Sequence, residues 1–408
     1  MYRRGVLRTT VAVAAVATGM AAGPAAAADD PTIGALLPMT GDLQAYGKTS
    51  SNGVKLAARQ INDQGGVLGG KLQVEVGDTQ TKSQAGVDAA KKLVSIQGVS
   101  GIVGALSSGV TIPVARSVTS QAEVPQISSA STSPTITDLD DNDFLFRTVP
   151  SDALQGDALA RVAAEQGLEN VAIFYVNNAY GEGLAGSFTE GFEARGNTVS
   201  ASQPYEKGNA SYRGGLKEAA SGGAEALVLI GYPQNGITIM RQALEGGYFR
   251  KFVFTDGMKA PEIIDSIGAQ YLNGSFGTAP QSSGKSTAAE RFDKAYKDAY
   301  GKMPPKPFID TAYDAAFLLG LAMEKADSQK GPAVRDALRP VANPPGEEIL
   351  PGEWKKARRL LNEGKPVNYT GASGPVNFDK NGDVGGSFAH WKIEDGEIVT
   401  EKVFKPDM

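Results

Sequence analysis

The 408-residue chain predicts an α/β protein of two similar lobes with a cleft between them, and three observations carry that reading. From Pro31 onwards, short β-branched or aliphatic runs alternate with longer segments of helical period, the pattern of βαβ units on parallel-dominated sheets. A second run of the same kind and comparable size starts near residue 150. After residue 275 the pattern turns mainly helical and then ends in strands. That tail holds elements able to complete both lobes, so the chain crosses between them more than once.

In the first run, strands are expected at 32–37, 72–76, 101–106 and 125–128. A helix over 52–62 places Val54, Leu56, Ala58 and Ile61 near one face and stops at Gly65-Gly66. Helices at 83–96 and 109–121 follow. The second run opens with a helix at 153–166 and a strand at 171–176 whose unbroken apolarity implies burial on both faces. It continues as helix 183–195, strand 198–203, helix 211–220, strand 226–230, helix 236–245 and strand 252–255. Beyond it lie helices at 287–300, 308–325 and 332–338, a proline- and glycine-rich loop at 341–352, and a helix at 354–361. Strands near 376–378, 387–393 and 398–404 close the chain.

Composition removes several kinds of chemistry. With no cysteine there is no disulfide, thiolate metal site or cysteine nucleophile, and a single histidine, His390, cannot build a multi-histidine metal site. The formal charge of −5 argues against a nucleic-acid partner. Arg3, Arg4 and Arg8 precede an apolar stretch over 11–22, and Ala26-Ala27-Ala28 supplies an A-x-A site before Asp29-Asp30, so residues 1–28 read as a cleaved secretory signal peptide. The run is too short and alanine-rich for a membrane span. Arg3-Arg4 also fits a twin-arginine pattern, which leaves the export route open. Without those three arginines the mature chain carries −8. No cysteine follows the signal, so no lipid anchor is expected, and no other long apolar stretch would embed the chain in a membrane.

Motifs for catalysis fail on inspection. Gly284-Lys285-Ser286 resembles the end of a phosphate-binding loop but lacks the earlier glycine, where Ala279 stands, and reads as a solvated loop. Asp379-x-Asn381-x-Asp383 lacks the glycine and glutamate of a calcium loop, and Asn381-Gly382 reads as a hairpin turn. His390 has no nucleophile elbow to serve and reads as a structural strand residue. The expectation is a binding protein without a metal, cofactor or catalytic residue. A secreted hydrolase built on His390 is the enzyme alternative.

Four post-strand loops carry polar groups where a cleft at the strand C-termini would put them. Leu106-Ser107-Ser108-Gly109 opens a helix and suits a carboxylate through hydroxyls and free N–H groups. Ser128 to Pro134, which includes Ala130, Ser131 and Thr132, offers more hydroxyls and amides, although composition alone equally fits a flexible linker. In the second lobe Tyr180 and Tyr232 follow strands, and Asp256 could meet an ammonium group. Donors on one lobe with an acid and aromatic rings on the other suit a zwitterion such as an α-amino acid.

Several motifs, in order over nearly all of 31–404, sharpen this. Leu36-Leu37-Pro38-Met39-Thr40-Gly41…Tyr46-Gly47, Asn62-x-x-Gly65-Gly66-Val67-x-Gly69, Gly104-Ala105-Leu106-Ser107-Ser108, Tyr180-Gly181-Glu182-Gly183 and Gly374-Pro375-Val376-Asn377-Phe378-Asp379 together resemble the periplasmic leucine/isoleucine/valine-binding proteins of bacterial ABC importers. The resemblance implies a type I periplasmic-binding fold, two Rossmann-like lobes joined by three crossover segments and closing on a ligand. It implies lobe 1 over 29–148 plus 279–374 and lobe 2 over 149–278 plus 375–408, with crossovers near 147–150, 278–280 and 374–376. Ser108 and Thr132 would bind the ligand carboxylate, and the Ala130 carbonyl and Asp256 its ammonium. Tyr180 and Tyr232 would close from the second lobe, and Tyr46 and Leu106 would wall the side-chain pocket, beside Ser107 and Ser131. The family often has glutamate where Asp256 stands, and Ser107 replaces one half of a disulfide present in some relatives. The implied role is a monomeric periplasmic carrier that delivers an amino acid, branched-chain first, to an ABC permease. An aromatic amino acid, an amide or urea, an aromatic acid, or a sensor for a membrane receptor are the alternatives. The segment 343–369 exceeds the shortest relatives.

Overall fold

A computed structural model describes residues 1, 2, 5, 30–282 and 286–406. The expected signal segment, apart from residues 1, 2 and 5, and Gly284-Lys285 lie outside the described residues. The first sheet holds β1 (Thr32–Leu37), β2 (Gln73–Asp78), β3 (Ile102–Gly104), β4 (Gln126–Ser128) and β5 (Leu145–Arg147), all parallel, in the order β2-β1-β3-β4-β5. The second holds β6 (Asn170–Val176), β7 (Thr198–Tyr205), β8 (Ala226–Ile230), β9 (Phe252–Phe254) and β10 (Phe276–Pro280) in parallel, then an antiparallel pair, in the order β15-β14-β10-β9-β8-β6-β7. Between β10 and β14 in sequence, β11 (Glu347–Ile349), β12 (Val367–Gly371) and β13 (Gly374–Pro375) form a small sheet, and β14 (Phe388–Glu394) and β15 (Glu397–Phe404) are the last strands.

The helices are α1 (Gln44–Asn62), α2 (Ser83–Ser95), α3 (Ser108–Val114), α4 (Asp152–Glu165), α5 (Ala179–Glu193), α6 (Arg213–Ala220) and α7 (Pro233–Glu245). They are followed by α8 (Pro261–Ile267), α9 (Ala269–Leu272), α10 (Thr287–Tyr300), α11 (Ile309–Ala326), α12 (Gly331–Ala342) and α13 (Trp354–Asn362). The unbroken apolar run of β8 is buried at every position, because helices cover both faces of the sheet. Strand order reverses at β1, which pairs with both β2 and β3, and at β6, which pairs with both β7 and β8. Such switch points open a crevice at the strand C-termini, and the two lobes set their crevices face to face.

Several sequence expectations shift. β5 and β10 are strands that apolar runs do not announce, since β5 is three residues with a buried Arg147 and β10 contains Gly277 and Pro280. Thr278 to Pro280 therefore belong to a strand, and the crossover follows them. Helix α1 begins at Gln44, eight residues before the expected start at 52. The expected 109–121 helix is α3 followed by a wider-coiled segment, Ala115–Thr119. No strand forms at 376–378, so Asn381-Gly382 is not a hairpin turn; Asp379 instead accepts the backbone N–H groups of Asn381 and Asp383. The 343–369 segment, expected partly as loop, contributes β11 and α13. Its Trp354 is fully buried, donates from Nε1 to the Gly66 carbonyl at 2.9 Å and meets Phe317 edge-on at 5.6 Å. The segment thus packs as a layer on α1 and α11.

Candidate ligand site in the interlobe cleft

Six segments that follow strands converge on one small cavity between the lobes. From the first lobe come Tyr46 after β1, Leu106, Ser107 and Ser108 after β3, and Ala130 after β4; from the second come Tyr180 after β6, Tyr232 after β8, and Asp256 after β9. Eight of the ten residues singled out in the sequence line this space. Ser131 and Thr132 do not: Ser131 lies one layer behind, bonded to Thr111 and to the Ala105 and Leu106 carbonyls. The serine-rich run is no flexible linker, since every residue from Ser128 to Ser133 is buried. Leu43, Gly257 and Phe308 complete the lining. Sequence reading missed Phe308 because it is remote in the chain, and Leu43, three residues before Tyr46, because it carries no polar signal.

Local structure aims these groups. Ser107 stands at the N-cap position of α3 without a side-chain capping bond and Ser108 opens the helix, so both first residues of its N-terminus border the cavity. Tyr180 sits in the first turn of α5, not in a loop, because the Asn178 side chain accepts the N–H groups of Tyr180 and Gly181 and starts the helix four residues early. Pro233 at the start of α7 fixes Tyr232 in extended backbone. The rings of Tyr180 and Tyr232 then stack at 5.8 Å with 13° between planes.

The lobes meet directly across the cleft. The Tyr46 hydroxyl donates to the Gly257 carbonyl at 2.9 Å, Ser107 and Tyr232 hydroxyls lie 3.0 Å apart, and Lys207 Nζ donates to the Thr81 carbonyl at 2.8 Å. The described conformation is closed.

Asp256 is the charged focus. Its Oδ1 accepts from Tyr180 at 2.7 Å and Gln155 Nε2 at 3.0 Å. Burial pushes its carboxyl up to about 6, against the pull of those two bonds. Behind it, fully buried Asp152 is raised well above the usual range, first by burial and then by the nearby Asp256 charge. Both Asp152 oxygens, Thr132 Oγ1, Gln155 Oε1 and Thr278 Oγ1 are buried without a hydrogen-bond partner among the described residues. Asp152 and Gln155 were not foreseen. Their signal was an Asp and a Gln on the inward face of α4 where an apolar pattern was expected. Burial also drives the Tyr232 hydroxyl up to about 12, so it is a neutral donor at physiological pH.

Arg147 braces the site from below. Fully buried, it donates through Nε and Nη2 to Asp383 at 2.6 and 2.7 Å and through Nη1 to the Thr132 and Ser133 carbonyls, both at 3.0 Å. His390 lies elsewhere, on β14, with Nδ1 3.4 Å from Glu401 and its ring edge-on to Phe276. Among the described residues no cluster of three or more His, Asp or Glu is arranged to hold a metal, and no helix is long and apolar enough to cross a membrane.

Three similarities bear on this arrangement. The Leu/Ile/Val-binding protein BraC3 of Rhizobium johnstonii is 30% identical over 394 residues, 95% of this chain and 97% of that protein. The chemotactic signal transduction system substrate-binding protein BasB of Halobacterium salinarum is 27% identical over 92% of this chain and 89% of its own length. The crystal structure of the leucine-binding protein LivK of Thermotoga maritima superposes with a TM-score of 0.79 at 26% identity, over 92% of this chain and all but 1% of that one. A family model described as periplasmic binding protein matches residues 31–359. With two α/β lobes closed over a polar cavity and that match across most of its length, the chain belongs to the periplasmic binding protein family.

Proposed function

We propose that the protein captures an α-amino acid, branched-chain by preference, in the interlobe cavity and delivers it to an ABC permease. The observation that carries this reading is the pairing of a buried acid on one lobe with a hydroxyl-lined wall on the other, across the interlobe cavity. The N-terminus of α3 with Ser108 receives the carboxylate, and Thr132, expected beside it, stands outside the lining. Asp256, whose side-chain bonds both go to Oδ1, offers Oδ2 to the ammonium beside the Ala130 carbonyl. Tyr46, Leu106 and Phe308 face the aliphatic side chain, and Ser107, Tyr180 and Tyr232 shut the cleft. The likeness to BraC3 and LivK supports the ligand class. Closure is favoured because the ligand adds contacts to both lobes that exist together only in the closed form. Lobe 1 spans 29–148 plus 281–374 and lobe 2 spans 149–280 plus 375–408, the second bound lying after β10 rather than at 278. A monomer working in the periplasm after removal of residues 1–28 completes the reading.

The similarity to BasB favours one second reading, in which the closed form is presented to a membrane receptor. Co-purification with a permease or with a receptor separates the two. Titration calorimetry with L-leucine tests the site: Asp256→Ala leaves the ligand ammonium buried without its carboxylate, at a cost of about 2–5 kcal/mol. Unchanged affinity refutes the ammonium assignment. A thermal-shift screen over the twenty amino acids and small aromatic acids identifies the ligand, since one at a hundred times its dissociation constant adds about 2.7 kcal/mol to stability.

A further inference from the structure

A second and larger cleft, of about 250 Å³, lies between the lobes on the crossover side and shares no lining residue with the first. It receives Lys259 from the second lobe and Asp310, at the start of α11, from the first. Lys259 is only 6% exposed, yet its one hydrogen bond among the described residues goes to a neutral group, Gln281 Oε1 at 2.7 Å, which also accepts from Thr400 at 3.4 Å. The ammonium can donate three hydrogen bonds, and no second side-chain partner for it stands among the described residues. A buried charge held this way is costly unless something of opposite sign meets it. Asp310 is the acid whose field it feels, but the two form no ion pair among the described residues. Burial lowers the Lys259 ammonium to about 8, so it still carries its charge at neutral pH.

The remaining groups limit the occupant. Lys306 also borders the cleft but is spent on Glu262 and the Ala45 carbonyl. Asp293 adds a second negative charge beside Asp310, which disfavours a simple anion. Pro280, Phe292, Pro307, Ile309 and Ile398 supply apolar walls. Opposite charges facing each other without touching, above an apolar floor, match a molecule that carries both charges and an apolar body.

We infer that this crossover-side cleft is a second binding site, for a small zwitterion with an apolar side chain, Lys259 receiving its carboxylate and Asp310 its ammonium. Its walls come from both lobes, so occupancy favours the closed form and strengthens capture in the first cavity.

Equilibrium dialysis with radiolabelled L-leucine, carried to millimolar concentration on the full mature chain, reads the stoichiometry. Two equivalents are expected for the wild type. Lys259→Met and Asp310→Asn each remove the second equivalent and keep the first, whereas Asp256→Ala removes the first and keeps the second. Removing one charge from the probe, as in 4-methylpentanoate or 3-methylbutylamine, abolishes binding at the second site. A single equivalent in the wild type, or a second one that survives both Lys259→Met and Asp310→Asn, overturns the inference. Failure of the amino-acid reading of the first cavity shows separately, as absence of any Asp256-sensitive equivalent.

Discussion

Replacing Arg147 with methionine should remove the brace that ties the ligand loop after β4 to the last crossover. The guanidinium makes five hydrogen bonds: two to Asp383, one to each of the Thr132 and Ser133 carbonyls, and one to Thr137 Oγ1 at 2.8 Å. Methionine fills much of the same length but returns none of them. The Asp383 side chain, 13% exposed, would keep only the Thr137 hydroxyl, at 2.7 Å. Removing one member of a buried ion pair costs about 3–5 kcal/mol, because the surviving charge is stranded in a poor solvent. Removing both strands nothing, so Arg147→Met with Asp383→Asn should cost less than the two single changes added, with a coupling of about 2–4 kcal/mol. Urea denaturation followed by tryptophan emission measures this directly, since Trp354 and Trp391 are both fully buried and report unfolding of different lobes. The same variant should weaken ligand binding, because Thr132 and Ser133 lose the anchor of their carbonyls. A cost below about 1 kcal/mol for Arg147→Met, or strict additivity in the double variant, would refute the brace.

Asp256 makes the empty protein sensitive to pH. Its carboxyl stands at 3.8 ordinarily and about 6 when folded, so folding takes up a proton in that interval. The favourable contribution is complete below 3.8 and is lost as pH rises through about 6, a swing of about 3 kcal/mol. Asp256→Asn should therefore stabilise the ligand-free protein at pH 7.5 relative to pH 4.5 while losing the ligand, and a stability difference independent of pH contradicts the assignment. Gly183 sits in α5 with the place of a Cβ only 2.6 Å from Pro134 Cδ across the cleft. Gly183→Ala should raise helix stability by up to about 1 kcal/mol yet weaken ligand affinity tenfold or more by blocking closure. Equal affinity by calorimetry would show that closure has room to spare. Asp314 accepts four hydrogen bonds, from the Tyr369 hydroxyl, the Ala372 and Ser373 N–H groups and the Ser373 hydroxyl, and pins the last crossover to α11. Asp314→Asn turns one acceptor into a donor facing donors and should cost about 2–4 kcal/mol in urea unfolding; a loss under 1 kcal/mol removes that role.

The sequence by itself determined the alternation of strands and helices, the repetition of that alternation, and the loops that carry Ser108, Tyr180, Tyr232 and Asp256. These signals are local: the apolar run at 171–176, within β6, needs no knowledge of its neighbours to be read as a strand buried on both faces, and all of it but half-buried Tyr175 is buried. The same holds for the absence of cysteine and the solitary histidine, which removed whole chemistries by counting. Where a residue's environment contradicts its chemistry, local reading failed. Arg147 hides β5, because a charged side chain inside a strand looks exposed until Asp383, 236 positions later, arrives to neutralise it. Asp152 and Gln155 look like the solvent side of a helix until folding turns that face towards Asp256. Phe308 joins the ligand cavity and Asp310 the second cleft only because α11 returns to the first lobe after the chain has built most of the second. The tertiary structure decided these, since burial and charge compensation depend on partners that sequence distance conceals, and it is burial that fixes which acids keep a proton and which wait for a cation.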